Sequence, residues 1–476
     1  MKYIFTALFL FFLYQSLKAQ DCSCSENFQQ LTDKIKKNYV GYSDKVNSSN
    51  RVRFQNFTDS LQKIAMVSDS YTCLSLSREW LAFFKDKHIS FGLDFDKLST
   101  DSIKLFFQNV EKTNWSEASF NAYLQQNINK VDSLEGIWNH ENNTYKLGIV
   151  RDGTKKDLEF IAFIIKSDGL RWLPQQVKFR VSKFEGKYKT VYFSAGDHSI
   201  VFPTLSKVGE TLDFGIFGKW YKGDKKQAAT AISPYKQSHN TTKFTKLDDE
   251  TSLLTLPSFN SKYKHEIDSL LDKNKVIISN TKHLLIDVRD NLGGSTRSFE
   301  NLLPYLYTNP IKIDGGKVLA TDENIRNCYE KEYPNLSNKE SNELKANAKK
   351  LRDHLGELYL LYKPRTLKLP KVLKKPERIS ILINNGTASS GELFILRAEQ
   401  SKKVTLFGEN TAGVVDYGET VKITLPCSFL TLVYPASKSL HSIKRPLDNV
   451  GIKPNIQIHD NISDWIKFVE NYKKSN

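Results

Sequence analysis

The chain passes from strand to helix in "RISILINNGTASSGELF", residues 378 to 394. An apolar run, Ile379 to Ile383, stops on Asn384-Asn385-Gly386 and then offers Thr387, Ser389 and Ser390. Short apolar runs closed by such turn residues are buried strands. Thr387-Ala388-Ser389-Ser390-Gly391 reads as the start of a helix with Glu392 in its first turn, so either serine can serve as an N-cap. A serine placed there also gains as a nucleophile, because a helix N-terminus favours the developing alkoxide.

A second junction has the same shape. In "LLIDVRDNLGGSTRSF", residues 284 to 299, an apolar strand ends in Asp287, Arg289 and Asp290 and is followed by Gly293-Gly294. Glycines after a strand let the backbone turn sharply and present bare N–H groups, which is what an oxyanion hole requires. Asp287 and Arg289 read as a buried structural pair, since burial demands pairing. Both junctions fall at the carboxyl ends of apolar strands in a stretch that alternates strand and helix, the edge at which α/β domains bind ligands.

Upstream the pattern changes twice. From Ser25 to about Phe91, apolar residues recur three and four apart and predict helices; from Leu134 to Lys225 the period is two, predicting six to eight antiparallel strands in a barrel or sandwich. That block opens on "EGIWN", which resembles the Gly-x-Trp start of lipocalin-type barrels but is too short to name a ligand. The expected organisation is a leader over 1–19, an N-terminal helical domain over 20–100, an antiparallel β domain over 130–228, a polar linker, and an α/β domain over 248–465.

The leader reading rests on Lys2, the apolar run Tyr3 to Tyr14 and the small residue Ala19, a run too short to span a bilayer. Asp21 before Cys22 argues against a lipid anchor, so a periplasmic or extracellular location is expected. In such a compartment some of the five cysteines pair, and Cys73 with Cys22 or Cys24 is the expected bridge. Their spacing suits no metal site. The formal charge is +16, or +14 once Lys2 and Lys18 leave with the leader. The lysines are scattered rather than interleaved with aromatics, so they predict a solvated basic surface and no nucleic-acid partner.

Four segments together resemble one family, the tail-specific or C-terminal-processing serine peptidases with their tricorn relatives: "DVRDNLGG" (287–294), "TASSGE" (387–392), "GENTAG" (408–413) and "GIKPN" (451–455). They cover residues 250 to 460. The resemblance implies a ClpP/crotonase-like catalytic domain, protein or peptide substrates, no cofactor or metal, and Ser389 as nucleophile. It implies an oxyanion hole from the N–H groups of Ser390 and Gly293, with Gly294 as a further donor. The better-known branch carries a lysine base where this chain has Val414, and valine cannot take a proton. The tricorn-like branch takes a histidine from an upstream helical region, which points here to His88 in "FFKDKHISFGL". His441 and, more remotely, Lys422 compete as base. Asp448 is the preferred acidic partner and Glu419 the alternative. The β block does not resemble the PDZ domain that many members carry. The expected function is an exported serine endopeptidase; the rival is an inactive member that binds a peptide or apolar ligand.

Overall fold

The computed structural model describes residues 23–152, 159–185, 187–223, 241–333, 336–459, 462 and 464–472. The expected leader and Cys22 lie outside them, as does most of the expected linker.

Three long helices open the described chain, Cys24–Asn38, Arg51–Ala65 and Ser70–Ala82, with a single turn, Tyr42–Lys45, after the first. Ser23 and Asp69 cap the first and third by accepting from the Glu26 and Thr72 amides. Their apolar stripes do not close on one another alone. Phe28, Leu31, Phe54 and Trp80 share one core with Val318, Leu432 and Tyr434 of an antiparallel sheet built mainly from the C-terminal half. In that sheet the strand Ser90–Leu93 pairs with Leu430–Ser439, which also pairs with Gly316–Leu319 and Tyr417–Thr424. The helical segment is therefore continuous with the C-terminal half, and the strand after His88 is the tie. Cys24 and Cys73 form a disulfide between the first and third helices.

The middle block is one nine-stranded antiparallel sheet between Gly136 and Lys222. Its ends curl together: Tyr192, on the strand second from one edge, lies ring to ring with Phe214, beside the strand second from the other, at 5.0 Å. Phe160 to Ile164 are buried without alternation because both faces are covered. Phe160, Ala162 and Ile164 face the core of Trp138, Trp172 and Trp220, and Ile161 and Phe163 face Phe120 of the helix Glu117–Gln126. Gly136 has no side chain where the Lys222 stem crosses toward the Trp138 ring.

The third unit is a six-stranded sheet in the order Lys243–Lys246, Thr251–Thr255, His283–Asp287, Arg378–Ile383, Val404–Gly408, Ile456–Gln457. The first pair is antiparallel and the rest parallel. Period-two alternation sends Leu254, Ile286 and Ile381 to one face, under Phe394 of the helix Ser390–Ala398, and Leu253, Leu285 and Leu382 to the other, under Trp465. The register pairs Asp287 with Leu382 and Ile383 with Gly408. Three neighbouring parallel strands thus end together, and the turns after them share one edge.

Candidate active site

The two junction turns are stitched into one surface. Asn384 Oδ1 accepts from the Asp290 amide at 2.9 Å, Thr387 Oγ1 donates to the Val288 carbonyl at 2.8 Å, and the Ala388 amide donates to the Asn291 carbonyl at 2.9 Å. Asn291 is fully buried and braces the glycine turn: its Nδ2 donates to the Leu256 carbonyl, and its Oδ1 accepts from the Gly293 amide at 2.9 Å. Asp287 and Arg289 form the expected bidentate pair.

Ser389 holds φ 52° and ψ −120°, a backbone conformation costly for any residue with a Cβ. It is the residue at which the chain swings from strand direction to helix direction. Gly293 fits against it: a Cβ there would lie 2.8 Å from the Ala388 carbonyl oxygen and the Ser390 nitrogen and 2.9 Å from Ser389 Cβ. Glycine is required by this contact and by φ 94°. The Gly293 amide is given to Asn291, whereas the Ser390 amide stands first in its helix and has no intrahelical acceptor.

Glu392 does more than open a helix. Fully buried, it accepts from the Ser389 amide at 3.2 Å and the Val414 amide at 2.9 Å on Oε2, and from Thr411 Oγ1 at 2.6 Å and the Gly413 amide at 2.8 Å on Oε1. One carboxylate thereby fixes the serine turn to the "GENTAG" loop. Val414 packs with Ala388 and Ala412 in a small apolar cluster.

His88 arrives from far away in sequence. The turn before it is pinned twice to this loop system: Lys87 Nζ donates to the Ala412 carbonyl at 2.6 Å, and Asn449 Nδ2 donates to the Lys85 carbonyl at 2.7 Å. The Ala412 amide in turn donates to the Thr387 carbonyl, two residues before Ser389. The carboxylate beside His88 is Asp86, with Oδ1 3.6 Å from His88 Nδ1 and accepting from the His88 amide at 2.9 Å. The Asp86 side chain is 1% exposed, and its Oδ2 accepts from Tyr39 Oη at 2.9 Å. Burial, reinforced by Asp86, holds the Tyr39 phenol protonated, so it acts as a donor.

The other candidates have different partners. Asp448 pairs with Lys45; burial lifts its carboxyl above the ordinary value against the pull of Lys45, with Asp86 and Asp416 adding to the rise. Glu419 is clamped by the hydroxyls of Tyr329 and Tyr362, and burial raises it too. Lys422 pairs with Asp94 on the surface. His441 is held at both ring nitrogens, Nε2 by Asp416 Oδ1 at 2.7 Å and Nδ1 by Ser439 Oγ at 2.6 Å. Sequence reasoning missed Asp86, Asn291 and the second role of Glu392. Asp86 and Asn291 stand inside the quoted motifs, but only their partners reveal what they brace.

Residues 250–458 match the family described as Peptidase family S41. No curated protein sequence matches the chain significantly. Among solved structures it is similar to mature CPAF, at 12% identity and a TM-score of 0.49 over 91% of this chain and 93% of that one. It is also similar to the photosystem II D1 C-terminal processing protease, at 12% identity and a TM-score of 0.38 over 93% and 95%. A third likeness is to the tricorn protease, at 10% identity and a TM-score of 0.38 over 92% of this chain and 34% of that one.

Proposed function

We propose that the S41-matched region, residues 250–458, is the catalytic part of an exported serine endopeptidase with a ClpP/crotonase-like core and Ser389 as its nucleophile. The observation that carries this reading is the strained Ser389 turn at the carboxyl edge of the parallel sheet, seated on Gly293. Ser389 Oγ attacks the peptide carbonyl while His88 takes its proton. The tetrahedral oxyanion lies against the N–H groups of Ser390 and Gly294. The C–N bond breaks as the imidazolium returns the proton to the departing amine, and water, deprotonated by the same imidazole, hydrolyses the acyl ester. Asp86 orients the imidazole in place of Asp448. The helix N-terminus and the donors around Glu392 keep the turn rigid through both steps.

The Cys24–Cys73 disulfide supports an oxidising compartment. Among the described residues no helix is long and apolar enough to cross a membrane.

A fluorophosphonate probe tests the reading. Labelling at Ser389, its loss in Ser389→Ala and its decline in His88→Ala are the expected results. The packed Val414 favours the rival, a non-hydrolysing peptide binder. No labelling together with no cleavage of a denatured protein would establish that rival instead.

A further inference from the structure

We infer that the cleft beside His88 is a subsite for a peptide carboxylate, an inference that rests on the peptide-substrate reading above. The cleft has a volume of about 490 Å³ and lies where the helical segment, the nine-stranded sheet and the 447–451 loop meet. Leu81, Ile89 and Phe91 give it apolar walls. Arg78 and Asp197 close one end as an ion pair, and Arg78 Nε is fixed to the Phe91 carbonyl at 2.8 Å, so this end carries no net charge.

The mouth is different. Lys85 and Lys87 line it, and neither ammonium has a carboxylate within ion-pair distance among the described residues. Lys87 is directed by its bond to the Ala412 carbonyl, which ties this rim to the serine turn through the Ala412 amide and Thr387. Asp86 also lines the cleft, but its oxygens are engaged by Tyr39 and by the His88 amide. A chain laid across Ser389 and His88 therefore meets an apolar slot whose rim offers two lysine ammoniums against the single Asp86 carboxylate, a net positive charge. An apolar stem ending in a carboxylate complements it, as supplied by an Asp or Glu side chain or by a free chain terminus.

Binding to the Ser389→Ala protein separates this subsite from the chemistry. The probes are fluorescein-labelled Ala/Leu hexapeptides with one Glu or Gln scanned through the positions, each made as free acid and as C-terminal amide. One carboxylate position is expected to tighten Kd about tenfold over its amide, an advantage that shrinks with salt. A Glu-over-Gln gap identifies a side chain, an acid-over-amide gap the terminus. Lys85→Glu removes the gap, and Ala82→Trp, which fills the slot, weakens all the peptides. No gap at any position, or a gap that survives Lys85→Glu in a folded protein, overturns the subsite. A gap in Ser389→Ala, found alongside a wild-type protein that neither labels nor hydrolyses, overturns the peptidase reading and leaves the subsite standing.

Discussion

The molecule sets two histidines beside aspartates and treats them in opposite ways. His441 is satisfied at both ring nitrogens by Asp416 and Ser439, and Asp416 also accepts from the amides of Leu447 and Asp448. That arrangement is closed; it fastens the 439–448 loop and has no lone pair to offer. His88 has its aspartate 3.6 Å from Nδ1, and Nδ1 is buried with no hydrogen-bond partner among the described residues. The proposed role of His88 as general base accommodates this looser geometry, since such bonds often tighten only around substrate. The difference teaches that a Ser-His-Asp string is not a catalytic site until one imidazole nitrogen is left with work to do.

The largest effects should split the two. His88→Ala is expected to lower kcat/KM about a thousandfold with little change in thermal midpoint. His441→Ala leaves Asp416 a buried carboxylate without its principal partner and should destabilise by about 3 kcal/mol. Steady-state kinetics beside thermal unfolding reads both. A His88→Ala protein that keeps full activity while melting early would reverse the assignment.

The sequence made the two junction turns legible because each is written locally: apolar strand, turn residues, helix start. It made their meeting legible too, since parallel strands must end on one edge. His88 was reachable only through resemblance, because the contacts that bring its turn to the site link residues 325 and 364 positions apart. Periodicity also found the N-terminal helices but not their core, since an apolar stripe does not say what covers it. The choice of Asp448 over Glu419 left Asp86 unweighed for the same reason: a carboxylate's role depends on its partner, and Lys45 is invisible from the 448 side.

Glu392→Gln probes the anchor between the serine turn and the Val414 loop. The amide can accept on only one side, so it turns an N–H₂ group toward backbone donors that now have an acceptor. Losing two such bonds at about 1.5 kcal/mol each predicts a roughly hundredfold fall in activity together with a lower midpoint. If activity falls and stability does not, Glu392 acts on the turn alone and the loop is independently held.

Acid should weaken the closed pair. Against the push of burial, hydrogen bonds from His441 and from the Leu447 and Asp448 amides hold the Asp416 carboxyl below its ordinary value of 3.8. A carboxyl depressed in the folded state contributes stability in full above that ordinary value and loses it as pH falls through the lower folded value. Urea unfolding from pH 6 downward should therefore show an acid slope in the wild type that is shallower in Asp416→Asn. Equal slopes would remove Asp416 from the acid response.

Tyr39→Phe is the mildest test and the most specific to the open pair. The phenol hydroxyl donates to the far oxygen of Asp86, at 2.9 Å, so its loss leaves the His88 and Ser389 side chains themselves unchanged. A single hydrogen bond to a carboxylate, about 1 to 1.5 kcal/mol, predicts a five- to tenfold fall in kcat if it is expressed through the orientation of the imidazole. KM should hardly move, because Tyr39 meets no substrate, and fluorophosphonate labelling should slow in proportion to kcat. A purely structural tyrosine would instead lower the thermal midpoint while kcat stayed at the wild-type value, and Asp86 would then be a brace for the turn rather than the partner of His88.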